Sequence, residues 1–194
     1  MQALSSHLIE VASGRDETGG SIYKAASLLE RKADPRYADS RALSCAAITN
    51  NTKMMKLLLD AKADMNVSNG DIMKHAARMG RIEVMRLLLD RGADTQLTDP
   101  RNYWTRVGDI RQDNSLVCAA DAGRHEIVKL LITRVKYSDS TLINVALRVI
   151  ENGRLNVLKE LPSTCLHYAT LKYALEQGRL DIFNYILTTY TPNQ

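Results

Sequence analysis

Two segments decide the fold: NTKMMKLLLDAKAD (51–64) and RIEVMRLLLDRGAD (81–94), which lie 30 residues apart and align without a gap. Leu57, Leu58, Leu59, Asp60, Ala63 and Asp64 of the first recur as Leu87, Leu88, Leu89, Asp90, Ala93 and Asp94 of the second. Another 30 residues upstream, SIYKAASLLERKAD (21–34) keeps Leu28, Leu29, Ala33 and Asp34 in register. Downstream, RHEIVKLLI (124–132), RLNVLKEL (154–161) and RLDIFNYIL (179–187) continue the pattern. Each segment is entered through Gly20, Asn50, Gly80, Gly123, Gly153 or Gly178, the two residue types that best tolerate left-handed backbone at a helix end. Six matching units at a near-constant period are the signature of a repeat architecture.

Each unit reads as two helices. Ahead of the glycine, an apolar residue is followed at i+3 and i+4 by alanines: Leu43 with Ala46 and Ala47, Met73 with Ala76 and Ala77, Leu116 with Ala119 and Ala120. That spacing lays one strip along a first helix, and its small residues let a neighbouring helix approach closely. After the glycine, Val84, Met85, Leu88 and Leu89 form the apolar side of a second helix. Arg86 and its equivalents Lys56, Lys129 and Lys159 keep another side wet. Glu83, Glu126 and Asp181 fall in the first turn, where a carboxylate suits the helix dipole. One helix pair cannot bury these strips alone, but a stack of pairs can. The expectation is an all-α solenoid of about six helix–turn–helix repeats.

At this point the strings AARMGRIEVMRLLLDRGAD (76–94) and AADAGRHEIVKLLI (119–132) resemble the ankyrin repeat. The resemblance implies an inner layer of first helices, an outer layer of second helices and loops projecting at one edge. It also implies a protein-binding scaffold, with contacts just before the inter-helix turn and at first-helix starts. On this chain those positions are Arg41, Asp71, Arg78, Met79, Asn114 and Asp121. The repeat departs from the family in being 30 residues long and in lacking the Thr-Pro-Leu-His start. The shortening falls between Asp64 and Met73, so a tight turn with little β-structure is expected there. Short repeats of this kind are similar to those of large DNA viruses of amoebae and of some intracellular-bacterial effectors. The resemblance covers nearly the whole chain, read as one domain over 1–194. Its repeats fall at about 1–38, 39–68, 69–98, 110–138, 139–163 and 164–194, with an insertion at 97–113.

The insertion follows from spacing: Gly80 and Gly123 are 43 residues apart, so the run TQLTDPRNYWTRVGDIRQDN (95–114) holds about thirteen extra residues. It carries Arg101, Tyr103, Arg106 and the only tryptophan, Trp104. These are residue types enriched where partners grip one another. Trp104 either is presented on this loop or folds back over the groove between the third and fourth units. The helix LINVALRVIENG (142–153) is expected to run one turn longer than its equivalents.

Composition narrows the function classes. The chain has 194 residues, 45% hydrophobic and 25% charged, with a formal net charge of +4. Acidic and basic residues are interspersed, which argues against a dedicated nucleic-acid stripe. A basic surface for an acidic polymer such as nucleic acid remains the alternative to protein binding. The N-terminal MQALSSHLIEVASG lacks the pattern of a secretory signal, and no apolar run is long enough to span a membrane. Cys45, Cys118 and Cys165 are odd in number and widely spaced, which points to a reducing, cytoplasmic setting, the host cytosol for a virus or effector. No two cysteines or histidines show metal-ligand spacing, so neither metal nor cofactor is expected. Cys45, His75 and Cys118 share one register on an inward helical face, which reads as packing rather than catalysis.

Two further features follow from the stack. Arg81, Arg124, Arg154 and Arg179 follow their glycines and form a row, which either reaches neighbouring helix ends or makes a contact strip for an acidic partner surface. At the N-terminal end, Ser5, Ser6 and Glu10 are expected to face water while Leu4, Leu8 and Val11 face inward. The last unit is poorer in polar residues. Tyr185 or Phe183 is expected to leave an apolar patch, closed by a weak symmetric end-to-end dimer, by the partner, or by the tail from Tyr190 to Gln194.

Overall fold

The left-handed residues that punctuate the sequence are where the backbone reverses. In the computed structural model, which describes residues 2–14, 20–97 and 114–189, φ is +83° at Gly20, +58° at Asn50, +75° at Gly80, +71° at Gly123, +64° at Gly153 and +68° at Gly178. Each separates a first helix from a second. The chain forms two compact units, Met1–Asp99 and Pro100–Gln194, divided inside the 97–113 insertion. The first unit holds α1 (Gln2–Ala12), α2 (Ser21–Glu30), α3 (Tyr37–Ile48), α4 (Thr52–Asp60), α5 (Val67–Met79) and α6 (Ile82–Asp90). The second holds α7 (Ser115–Asp121), α8 (His125–Arg134), α9 (Asp139–Glu151), α10 (Leu155–Leu158), a 3-10 turn (Ser163–Cys165), α11 (Tyr168–Glu176) and α12 (Leu180–Thr189). No strand occurs among the described residues.

Within each unit, first helices pack on first helices and second on second: α1 on α3 on α5, α2 on α4 on α6, α7 on α9 on α11, and α8 on α10. The core is built from repeated positions. Ala46, Ala76, Ala119, Val149 and Ala174 occupy one first-helix register and are all buried. Met54, Val84, Ile127, Val157 and Ile182 occupy one second-helix register and are buried too. Small side chains in the first row and large ones in the second let helix pairs stack closely around a continuous core.

The Ala-Asp ending has a structural reason in the first unit. The N–H groups of Ala33, Ala63 and Ala93 reach back to the carbonyls of Leu28, Leu58 and Leu88 at 2.9, 2.9 and 3.0 Å, closing each second helix. Each aspartate then accepts, through Oδ1, the N–H two residues on: Arg36 (2.9 Å), Asn66 (2.9 Å) and Gln96 (2.8 Å). Its own N–H donates to a side chain elsewhere: Asp34 to Ser5 Oγ (2.9 Å), Asp64 to Ser40 Oγ (2.8 Å) and Asp94 to Asn66 Oδ1 (3.0 Å). Each aspartate thus turns the chain and fastens the turn to an earlier segment.

Ser5 therefore does not face water. It is 1% exposed on the inner side of α1 beside Leu8 and Val11, while Ser6 and Glu10 are exposed as expected. The tight turn expected in place of a β-hairpin finger is left-handed backbone at the start of the first helix. Ala38, Asp39 and Ser40 have φ of 51°, 54° and 52°, and one repeat later Ser68 and Gly70 have φ of 50° and 78°. Non-glycine residues there cost about 1–2 kcal/mol each. At Gly70 a side chain would also press on Leu97 Cβ at 3.2 Å.

In the second unit α9 runs over 13 residues without a break, about one turn more than the regular part of α5 from Asp71 to Met79, so the longer helix expected before Gly153 is present. The second helix of the fifth repeat, α10, has only 4 residues. Pro162 lies just beyond it, lacks an N–H, and restricts the residue before it to extended backbone.

Candidate partner-binding surface

Because the left-handed turns end at Ser40 and Gly70, regular helix begins at Arg41 and Asp71, which share one register 30 residues apart. Four and seven residues on, the same side of α3 carries Cys45 and Ile48, and that of α5 carries His75 and Arg78. These two stripes, on helices packed side by side, form one face. Arg41, Asp71, Ile48 and Arg78 are exposed, with Cys45 and His75 half-buried beneath them. Asp71 Oδ1 lies 3.3 Å from Lys74 Nζ. Met79 ends α5, and it and Ile48 stand 50% and 53% exposed. The sequence reading missed Ile48, although its 30-residue offset from Arg78 marks it.

The remaining expected contact residues fare differently. Asn114 is buried: its Oδ1 accepts the Val117 N–H at 3.0 Å, so it caps α7 rather than facing a partner. Asp121 is half-buried at the end of α7, with Oδ2 3.3 Å from Arg148 Nη1. Arg101, Tyr103, Trp104 and Arg106 lie outside the described residues, and so does the choice between a packed and a presented Trp104.

The arginine row is used inside the stack. A side chain at Gly123 would meet Arg154 Nη1 at 3.1 Å, and one at Gly153 would meet the Arg179 guanidinium carbon at 3.2 Å. Arg179 Nη2 also donates to Glu151 O at 2.7 Å, satisfying a carbonyl at the end of α9. These guanidinium groups lie flat across the preceding turn, so glycine there provides both the left-handed φ and the space. In the first unit, Arg36 Nε donates to Lys62 O at 2.8 Å, and Arg91 Nη1 lies 2.9 Å from Asp60 Oδ1.

The cysteines offer little nucleophilic chemistry. Cys118 and Cys165 are buried, and burial pushes the Cys165 thiol up to about 11 against a backbone hydrogen bond that lowers it. Its S–H donates to Pro162 O at 2.7 Å. A thiol of this kind is a packing group. Among the described residues, no three His, Cys, Asp or Glu side chains are placed to hold a metal ion. No described helix is long and apolar enough to cross a membrane.

The register, the stacked helix pairs and the Ala-Asp turns define an all-α, ankyrin-type repeat protein. Residues 18–99 match the family model for ankyrin repeats in three copies. No curated protein matches the chain. Ankyrin repeats are in general modules that bind other proteins, and typically without catalysis.

Proposed function

We propose that this protein is a non-catalytic scaffold that holds one partner protein on the first-helix face formed by Arg41, Ile48, Asp71, Arg78 and Met79. The carrying observation is that Ile48 and Met79 stand half out of the fold at the ends of neighbouring first helices, flanked by charges of both signs. Apolar anchors with a polar surround are the anatomy of a protein interface. The insertion, with Arg101, Tyr103, Trp104 and Arg106, joins this reading on its residue types. Asp121 holds the same register within the second unit, where it is paired with Arg148.

The acidic-polymer alternative is less favoured by the same geometry. The face mixes Asp71 with its arginines, and Arg154 and Arg179 lie across turns instead of forming a free basic strip. Fluorescence anisotropy with short single- and double-stranded nucleic acids separates the two. The expected result is no appreciable binding at about 200 mM salt and at most weak, non-specific binding at about 50 mM. Tight binding that collapses steeply between those concentrations would move the function to nucleic acid.

A further inference from the structure

Helices α11 and α12 carry an exposed apolar face. On α11, Tyr168, Lys172 and Leu175 are spaced i, i+4, i+7 on the side opposite the buried Thr170 and Ala174, where α11 meets α9. On α12, Leu180, Asn184 and Leu187 lie opposite the buried Ile182 and Ile186. Tyr168, Leu175, Leu180 and Leu187 are 69, 55, 63 and 53% exposed, and they are four of the seven large apolar side chains exposed among the described residues. The patch is thus not centred on Tyr185 or Phe183. Both are half-buried, and Lys159 Nζ sits over the Tyr185 ring, 5.9 Å from its centre.

We infer that this face is a self-association surface, closed by the same face of a second copy about a two-fold axis. Three observations select that occupant. First, the four residues expose about 500 Å² of mostly apolar surface, the size of the largest and often functional patch on a monomer. Two such faces together bury about 1,000 Å², the low end for a specific, reversible dimer. Second, the charge on the stripe, Lys172, is paired with Glu176 beside it, with Nζ and Oε1 3.6 Å apart. The pair is neutral as a whole, and a two-fold axis can set Lys172 against the second copy's Glu176 without like-charge conflict. Third, the face does not match the exposed side of the first helix pair, α1 and α2. The exposed side of α1 is Gln2, Ser6, His7 and Glu10, with His7 and Glu10 paired at 3.1 Å, and α2 adds Ser27 and Glu30 around the single aromatic Tyr23. Head-to-tail stacking would bury three leucines against polar groups, whereas the apolar face is complementary to itself.

Sedimentation of the full chain under reducing conditions, from low micromolar to several hundred micromolar, tests this. The expected result is a reversible monomer–dimer equilibrium with no larger species. Leu175→Glu and Leu180→Glu lie on exposed positions and leave the melting temperature unchanged, and each weakens dimerisation about tenfold or more by placing a charge in the apolar contact. Ser6→Glu on α1 leaves it unaltered. A strict monomer at every concentration overturns the inference. So does a dimer indifferent to both leucine substitutions, or open-ended growth with concentration, the mark of a head-to-tail contact.

Discussion

Replacing Ser5 by alanine tests how the repeats are fastened. The Ser5 hydroxyl, 1% exposed on α1, accepts the Asp34 N–H at 2.9 Å, a bond between residues 29 apart. Alanine leaves that N–H without its acceptor, in a part-buried place where water replaces it poorly. An orphaned donor of this kind costs about 1–3 kcal/mol. The better helix propensity of alanine offsets about 0.5 kcal/mol. The net loss is about 1–2 kcal/mol, and for a chain of this size that lowers the melting temperature by about 2–8 °C. Ser6→Ala, one residue on and exposed, is the control and should stay within about 0.5 kcal/mol of the parent. Circular dichroism melts give the stability difference, and amide exchange of Asp34 gives its location, since that N–H should lose protection selectively. Equal melting of the two variants, or unchanged protection at Asp34, would refute the fastening.

Other substitutions probe the core, the turns and the thiols. Leu88→Ala removes a fully buried side chain from α6 and should destabilise by about 2–5 kcal/mol, read from denaturant unfolding. Gly153→Ala forces a side chain both into φ +64° and to within 3.2 Å of the Arg179 guanidinium, whereas at Gly178, φ +68°, nothing lies within 4 Å. Both should lose about 1–2 kcal/mol from left-handed backbone, and Gly153→Ala more than Gly178→Ala in paired melts. The raised Cys165 pKa of about 11, against an ordinary 9.0, favours the neutral thiol. Its stabilising contribution is thus present below pH 9.0 and lost as pH rises towards 11. At about pH 8 its thiolate fraction is roughly a hundredfold below that of an ordinary cysteine, so iodoacetamide should label half-buried Cys45 first and Cys165 last. Labelling of Cys165 as fast as Cys45 would contradict its burial.

Much of this architecture is legible in the sequence because a repeat states each structural demand several times. The glycine and asparagine punctuation, the alanine row of first helices and the leucine register of second helices each recur, and each recurrence narrows the physical reading. What was not legible depends on single long-range contacts. Ser5 and Ser6 are chemically alike, and only the position of Asp34, 29 residues on, decides which hydroxyl is buried. The left-handed turn at Ala38, Asp39 and Ser40 carries no glycine, so nothing local announces it; part of its strain is offset by Ser40 binding the Asp64 N–H. Asn114 was read as a presented side chain because it begins a first helix, the same position that makes it a cap. Ile48 and the brevity of α10 had signals, the 30-residue offset and Pro162, that the periodic pattern overshadowed.

The central claim is that a partner protein is held on the first-helix face. Its most direct test is site-specific photo-crosslinking in the native cell, with a photoreactive side chain at Ile48 on that face or at exposed Lys56 on the second-helix side. The account predicts one discrete protein adduct from position 48, lost on Arg78→Ala/Met79→Ala, and none from position 56. Adducts from position 56 alone, or an adduct at 48 indifferent to the double substitution, would contradict it.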